Sequence, residues 1–199
     1  MATPARSQSA SIIYEWPEQG HWTYEDYTRL PDDGRRYEVI GGHLHVAPAP
    51  RTIHQLVSFE LAFALYAHVK ANNLGRVLEA PVDLILPDRA SPVQPDIIFI
   101  SNERSDIVRE NFIEGVPDLI IEVLSPGNAH YDRQTKYDLY AESGVREYWI
   151  VDPDECLVDV YTLHDDDIYI PFGHFERGAA VRSKLISDLN VPLDEVCRS

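Results

Sequence analysis

Two short stretches decide how this chain is read: Pro95-Asp96-Ile97-Ile98-Phe99-Ile100-Ser101 and Pro117-Asp118-Leu119-Ile120-Ile121-Glu122-Val123-Leu124. Each opens on a Pro-Asp pair and runs into short, β-branched, nearly continuous apolar sequence, the pattern of a central strand covered on both faces. A Pro-Asp pair alone means little, because both residues favour turns. The chain carries further pairs at Pro31-Asp32, Pro87-Asp88 and Pro153-Asp154. The second stretch contains one residue that does not belong to a dry strand. Side chains alternate, so Ile120, Glu122 and Leu124 share one face while Leu119, Ile121 and Val123 share the other. Burying Glu122 unpaired would be costly, so it is ion-paired, metal-bound or at the strand's wet end. An Asp and a Glu on neighbouring strands form a hard-cation site of the kind magnesium prefers, completed by waters and phosphate oxygens. Such an ion could activate water and stabilise the charge that builds on a phosphodiester in the transition state.

Outward from these strands, the pattern alternates helices and strands. Residues 23–30 predict a short helix opening at Thr23, and Arg36–Val46 a β-hairpin turning on Gly41-Gly42. Thr52 and Gln55 have capping-box spacing ahead of a long helix, with an apolar stripe at Leu56, Phe59, Phe63 and Tyr66. Leu61, Leu65 and Val69 widen the stripe, which predicts a well-buried helix ending near Asn72–Gly75. Strands are expected at 76–78, 82–86, 96–101 and 118–124, then a helix over Ala129–Ser143 closed by Gly144. Two more strands, 147–151 and 157–163, flank the turn at Asp152–Glu155, and the C-terminal third reads as short strands and loops. The class is therefore α/β or mixed α+β, with a central mixed β-sheet flanked by helices.

Composition narrows the rest. The 199 residues suit one domain over 21–199 behind a flexible tail over 1–20, whose Ala/Ser/Gln-rich start lacks the apolar stretch of a signal peptide. No apolar run approaches the roughly 20 residues that cross a bilayer, so no membrane partner is expected. Cys156 and Cys197 lack CxxC spacing and read as two reduced packing residues of a cytoplasmic protein. The net charge of −16 works against nucleic acid, which is usually met by a basic footprint. His43 and His45 have metal-ligand spacing on one strand face but no third partner, so a solvated face is the better reading. Asp165–Asp167 lacks the Gly and Glu of a calcium loop, and no G-x-S-x-G occurs.

The string Pro95-Asp96 … Glu122-Val123-Leu124 resembles the PD-(D/E)XK motif of restriction-endonuclease-like nucleases, departing from it where Leu124 takes the place of the motif lysine. Lys136, on the following helix, is the substitute, a relocation known within that fold. The run Asp132–Pro153, with Tyr37–Gly42, His54 and Val93–Ser101, is similar to the Uma-two family of endonucleases over roughly Trp22–Val196. The resemblance implies a restriction-endonuclease-like core, Mg²⁺ or Mn²⁺ as cofactor and DNA as substrate. Asp96 and Glu122 would hold the metal, with the Val123 carbonyl as a further ligand. Lys136 would orient or deprotonate the attacking water, or neutralise the phosphate. Glu38 matches an acidic residue ahead of the glycine pair, a water-mediated ligand. His54 matches a histidine near the site, and Tyr140, one turn after Lys136, could share the cleft. A homodimer would suit an enzyme that cuts two strands.

Plainer readings stand beside these. Asp96 could cap a strand, Glu38 could face water on an edge strand, and His54 could be an ordinary polar residue of a first helical turn. Lys136 lies four residues after Asp132, so an exposed helix ion pair explains it. A non-catalytic member of the fold, acting as an interaction or assembly module, would fit the acidic charge and the missing strand lysine. Hydrolysis of a smaller phosphodiester is a third reading, for which −16 matters less.

Overall fold

A computed structural model describes residues 15–127 and 129–198. Residues 1–14 of the tail expected over 1–20 lie outside these residues. Its remainder packs against the hairpin it precedes: Trp16 stacks on Trp22, and the Gly20 N–H donates to the Gly42 carbonyl. Helix α1 (Tyr24–Tyr27) starts on the Thr23 capping box, with Asp26 returning the bond. Strands β1 (Arg36–Ile40) and β2 (His43–Ala47) pair antiparallel across Gly41 and Gly42. Both glycines have positive φ, as the tightest hairpin turn demands.

Helix α2 spans Thr52–Ala71. The expected capping box is absent: Arg51 is the N-cap and gives no side-chain cap bond. After it come β3 (Gly75–Glu79), β4 (Leu84–Leu86), β5 (Ala90–Val93), β6 (Ile97–Ser101), β7 (Ile113–Glu114) and β8 (Leu119–Val123). A π-helical turn, Tyr131–Lys136, leads into α3 (Tyr137–Ser143), followed by β9 (Glu147–Asp152), β10 (Leu157–His164) and β11 (Ile168–Phe175). The chain finishes with the pair β12 (Ala180–Val181) and β13 (Val191–Pro192) and helix α4 (Leu193–Val196).

The central sheet has the order β11-β10-β9-β8-β6-β3 and is mixed, since β8 and β9 run parallel and its other neighbours antiparallel. Its odd-numbered β6 and β8 residues, Ile97, Phe99, Leu119, Ile121 and Val123, pack under α2 and the C-terminal segment. The even-numbered Ile98, Ile100 and Ile120 pack under α3 and the second sheet, β2-β1-β5-β4-β7. Period-two alternation therefore divides the molecule into two cores and puts Glu122 on the α3 side. Gly75 lies where β3 passes so close to β6 that a Cβ would collide with the Ile100 carbonyl oxygen. Gly75→Ala is expected to lower stability by about 1–3 kcal/mol, read as a reduced urea midpoint, because backbone rather than a pliable side chain must move. An unchanged midpoint would contradict this packing.

Three expectations are corrected. The stripe Leu56, Phe59, Phe63 and Tyr66 does not face the core: the buried face of α2 is His54, Val57, Ser58, Leu61, Ala62, Leu65 and Val69. Cys156 and Cys197 are not reduced: they form a disulfide across 41 residues, Cα atoms 5.9 Å apart, because α4 returns to the β9–β10 turn. Of the short strands and loops expected after residue 163, one strand is longer: β11 runs eight residues, paired with β10 around the exposed acidic turn at Asp165–Asp167. No helix among the described residues is long and apolar enough to cross a membrane.

Candidate active site

Antiparallel register brings the two acids together. Ile97 lies opposite Ile121 and Ile98 opposite Ile120, so Asp96, just before β6, comes level with Glu122, and both line one pocket. The Val123 N–H donates to Asp96 Oδ2 at 2.9 Å, tying the two strands at this point. The same antiparallel order sends the other Pro-Asp strand start, Asp118, to the opposite end of the sheet. There it is fully buried, paired with Arg104 and Arg146, and accepts the Ser101 N–H: a structural clamp.

The π-helical turn carries Lys136 inward. Its Nζ lies 2.9 Å from Glu122 Oε1, 3.0 Å from Glu38 Oε1 and 3.8 Å from Asp132 Oδ1. The reading of Lys136 and Asp132 as an exposed helix pair is thereby overturned, since both are buried. Tyr140, one turn on and fully buried, donates its hydroxyl to Glu122 Oε1 at 2.7 Å. Glu38 is not a solvent-facing edge residue: it is buried and accepts the Gln94 N–H at 2.8 Å. From the first turn of α2, buried His54 lies with Nε2 3.1 Å from Asp96 Oδ2. Arg36 Nη1 reaches Asp96 Oδ1 at 3.3 Å.

All six candidate side chains, Asp96, Glu122, Lys136, Glu38, His54 and Tyr140, thus gather in one ring, and Val123 lines the same pocket. Sequence reasoning missed two members. Arg36 precedes Glu38 by two residues on one strand, a period-two signal, but its partner Asp96 is 60 residues away. Asp132 was visible only as the i−4 neighbour of Lys136. His45 is likewise not simply solvated: it sits half-buried opposite Glu38 with its ring 4.5 Å from that of Tyr131, and burial lowers its pKa.

The ring holds four carboxyl groups, Glu38, Asp96, Glu122 and Asp132, against two permanent cations, Arg36 and Lys136. Burial, and beyond it the charges of Asp96, Asp132 and Glu38, push the Glu122 carboxyl up to about 8 despite the pull of Lys136. Burial and the same crowding raise Asp132 to about 6. Burial opposes the Lys136 charge too, but Glu122, Glu38, Asp132 and Asp96 outweigh it and hold the ammonium well above its usual pKa. Asp96 goes the other way, since the His54 contact, Arg36 and the Val123 N–H overcome its burial and lower its pKa.

The space these residues line is about 40 Å³, room for an ion or a little water. No group of three or more His, Cys, Asp or Glu side chains among the described residues is arranged as a ready metal cage. Magnesium does not require one, because it binds through one or two carboxylates and keeps its waters. The hard oxygen donors and the shortage of positive charge around Glu122 fit a cation at this place.

A mixed sheet that brings an aspartate and a glutamate from adjacent strands to one lysine defines the restriction-endonuclease-like class. The chain belongs to the Uma2 family: that family's model, described as "Putative restriction endonuclease", matches residues 24–194. A solved structure, a "putative nuclease belonging to DUF820" from Anabaena variabilis ATCC 29413, superposes with a TM-score of 0.72 at 23% identity, covering 88% of this chain and 97% of that one. The uncharacterized protein slr1290 of Synechocystis sp. (strain ATCC 27184 / PCC 6803 / Kazusa) is 24% identical over 144 residues, 71% of this chain and 74% of the relative.

Proposed function

We propose that the protein is an endonuclease that hydrolyses DNA phosphodiester bonds at the Asp96–Glu122–Lys136 site with Mg²⁺ or Mn²⁺. The observation that carries this reading is the meeting of Asp96 and Glu122 on adjacent strands with the Lys136 ammonium 2.9 Å from Glu122. Asp96, Glu122 and the Val123 carbonyl would hold the metal, which when bound supplies an activated water and charge stabilisation at the phosphate. Lys136, kept as the ammonium by its acidic neighbours, serves as the fixed positive charge that neutralises the phosphate or orients the attacking water. Tyr140 donates to Glu122 and so fixes the direction of that carboxylate. The Val123 N–H and His54 do the same for Asp96. Glu38 anchors Lys136 from the other side and would reach a metal only through water.

The test is nicking of supercoiled plasmid by the full chain with Mg²⁺ or Mn²⁺. Relaxed product that disappears with chelator is the expected result. A folded protein that cuts neither DNA nor RNA with either metal would overturn the nuclease reading. A second reading, a catalytically degenerate assembly module, has one observation in its favour: Asp96, Glu122 and Glu38 already have internal partners. It predicts no Mn²⁺ binding that depends on Asp96, a difference calorimetry resolves directly.

A further inference from the structure

Helix α2 has two apolar faces. One enters the core. The other, at positions 56, 59, 63 and 66, is exposed: Leu56 is 54% accessible, Phe59 and Phe63 60% each, and Tyr66 44%. The spacing of three, four and three is the narrow seam by which two helices pack against each other, distinct from the broad face a helix turns to its own core. Beside the seam, Phe59, Phe63 and Tyr66 line an open groove of about 230 Å³ completed by Ala62, Val77 and Glu79. The groove thus reaches β3, the outer strand of the central sheet.

We propose that this face is a self-association surface, occupied by α2 of a second copy running antiparallel across a twofold axis level with Leu61. Three observations single out a second copy. First, the seam is symmetric about position 61. An antiparallel partner centred there sets Leu56 against Tyr66 of the second copy and Phe59 against its Phe63, the self-complementarity that a twofold interface requires.

Second, the charge is arranged for it. Two chains of −16 repel each other, yet of the 33 acidic residues only Glu60 lies on α2. The same symmetry sets Glu60 level with Ala62 of the second copy, on the side of the groove that Glu79 completes, and Lys70 offsets Glu60 on the helix, so the contact is made through a helix of no net charge. Third, the area suffices. Side chains of this size carry ~150–250 Å² each, so at these exposures the four leave on the order of 400 Å² per copy. That is within the ~300–600 Å² of the largest apolar patch on a typical monomer, a patch that is often functional. Doubled and extended by the flanking Gln55, Ala67 and Lys70, it approaches the ~1,200 Å² of the smaller stable interfaces.

Sedimentation equilibrium of the full chain at tens of micromolar is expected to give twice the chain mass. Phe59→Glu with Phe63→Glu should return a single-chain mass with an unchanged far-UV spectrum, because neither ring supports the core. Ile170→Glu, at the other exposed apolar strip on β11, should leave the dimer intact. Under mild oxidation, Leu56→Cys chains mixed with Tyr66→Cys chains should cross-link in high yield. Leu56→Cys chains alone should not, being about 15 Å apart along an antiparallel helix pair. A single-chain mass for the unaltered protein, a dimer that survives both glutamates, or cross-linking of Leu56→Cys with itself would each overturn the proposal.

Discussion

Asp96→Asn is expected to reduce metal-dependent nicking by about 10³-fold or more while the protein stays folded. One carboxylate charge about 4 Å from a developing charge, in a medium of effective dielectric near 20, is worth about 4 kcal/mol. That corresponds to about three powers of ten in rate. The fold should tolerate the change better than the chemistry does. Asparagine keeps the shape, and one amide oxygen can still accept the Val123 N–H. The same oxygen still faces His54 Nε2, and the new amide nitrogen takes the place of Oδ1, where the bond from Arg36 Nη1 is lost. A shift of a few degrees in thermal midpoint with loss of nicking is the expected pair of results. Wild-type nicking rates in Asp96→Asn would remove Asp96 from the site.

Lys136→Met should act on stability as well as on activity. The methionine fills much the same space but leaves Glu122, Glu38 and Asp132 facing one another, buried, without their shared cation. Removing one partner of a buried ionic group typically costs about 3–5 kcal/mol, whereas an exposed helix pair is worth a few tenths. Urea denaturation at neutral pH separates the two cases cleanly. If the site takes a divalent cation, saturating Mg²⁺ should recover more stability in Lys136→Met than it adds to the unaltered protein. A denaturation curve overlaying that of the unaltered protein would return Lys136 to the surface.

Much of this architecture is written in local pattern. Period-two alternation in 117–124 assigns Glu122 to the face opposite Leu119, Ile121 and Val123, and the structure puts it there. The glycine pair after a β-branched run is enough for the β1–β2 hairpin, and Thr23 with Asp26 is enough for the start of α1. These are short-range effects, in which the backbone groups to be satisfied and the side chains that satisfy them lie within a few residues.

What local pattern leaves open depends on partners brought from afar. Helix α2 is apolar on two faces, so periodicity establishes a helix but not which face turns inward; the sheet beneath it makes that choice. The two Pro-Asp strand starts look alike in sequence, and only the antiparallel order of β6 and β8 sends Asp118 to a structural clamp and Asp96 to Glu122. Arg36 comes to Asp96 across 60 residues, and Cys156 to Cys197 across 41. The burial of Asp132 with Lys136 follows from the packing of the π-helical turn, which no i, i+4 spacing announces. Residue spacing along the chain encodes local hydrogen bonding and the face a side chain takes. The electrostatics of the site depend on which distant charges the packed core forces into one small pocket.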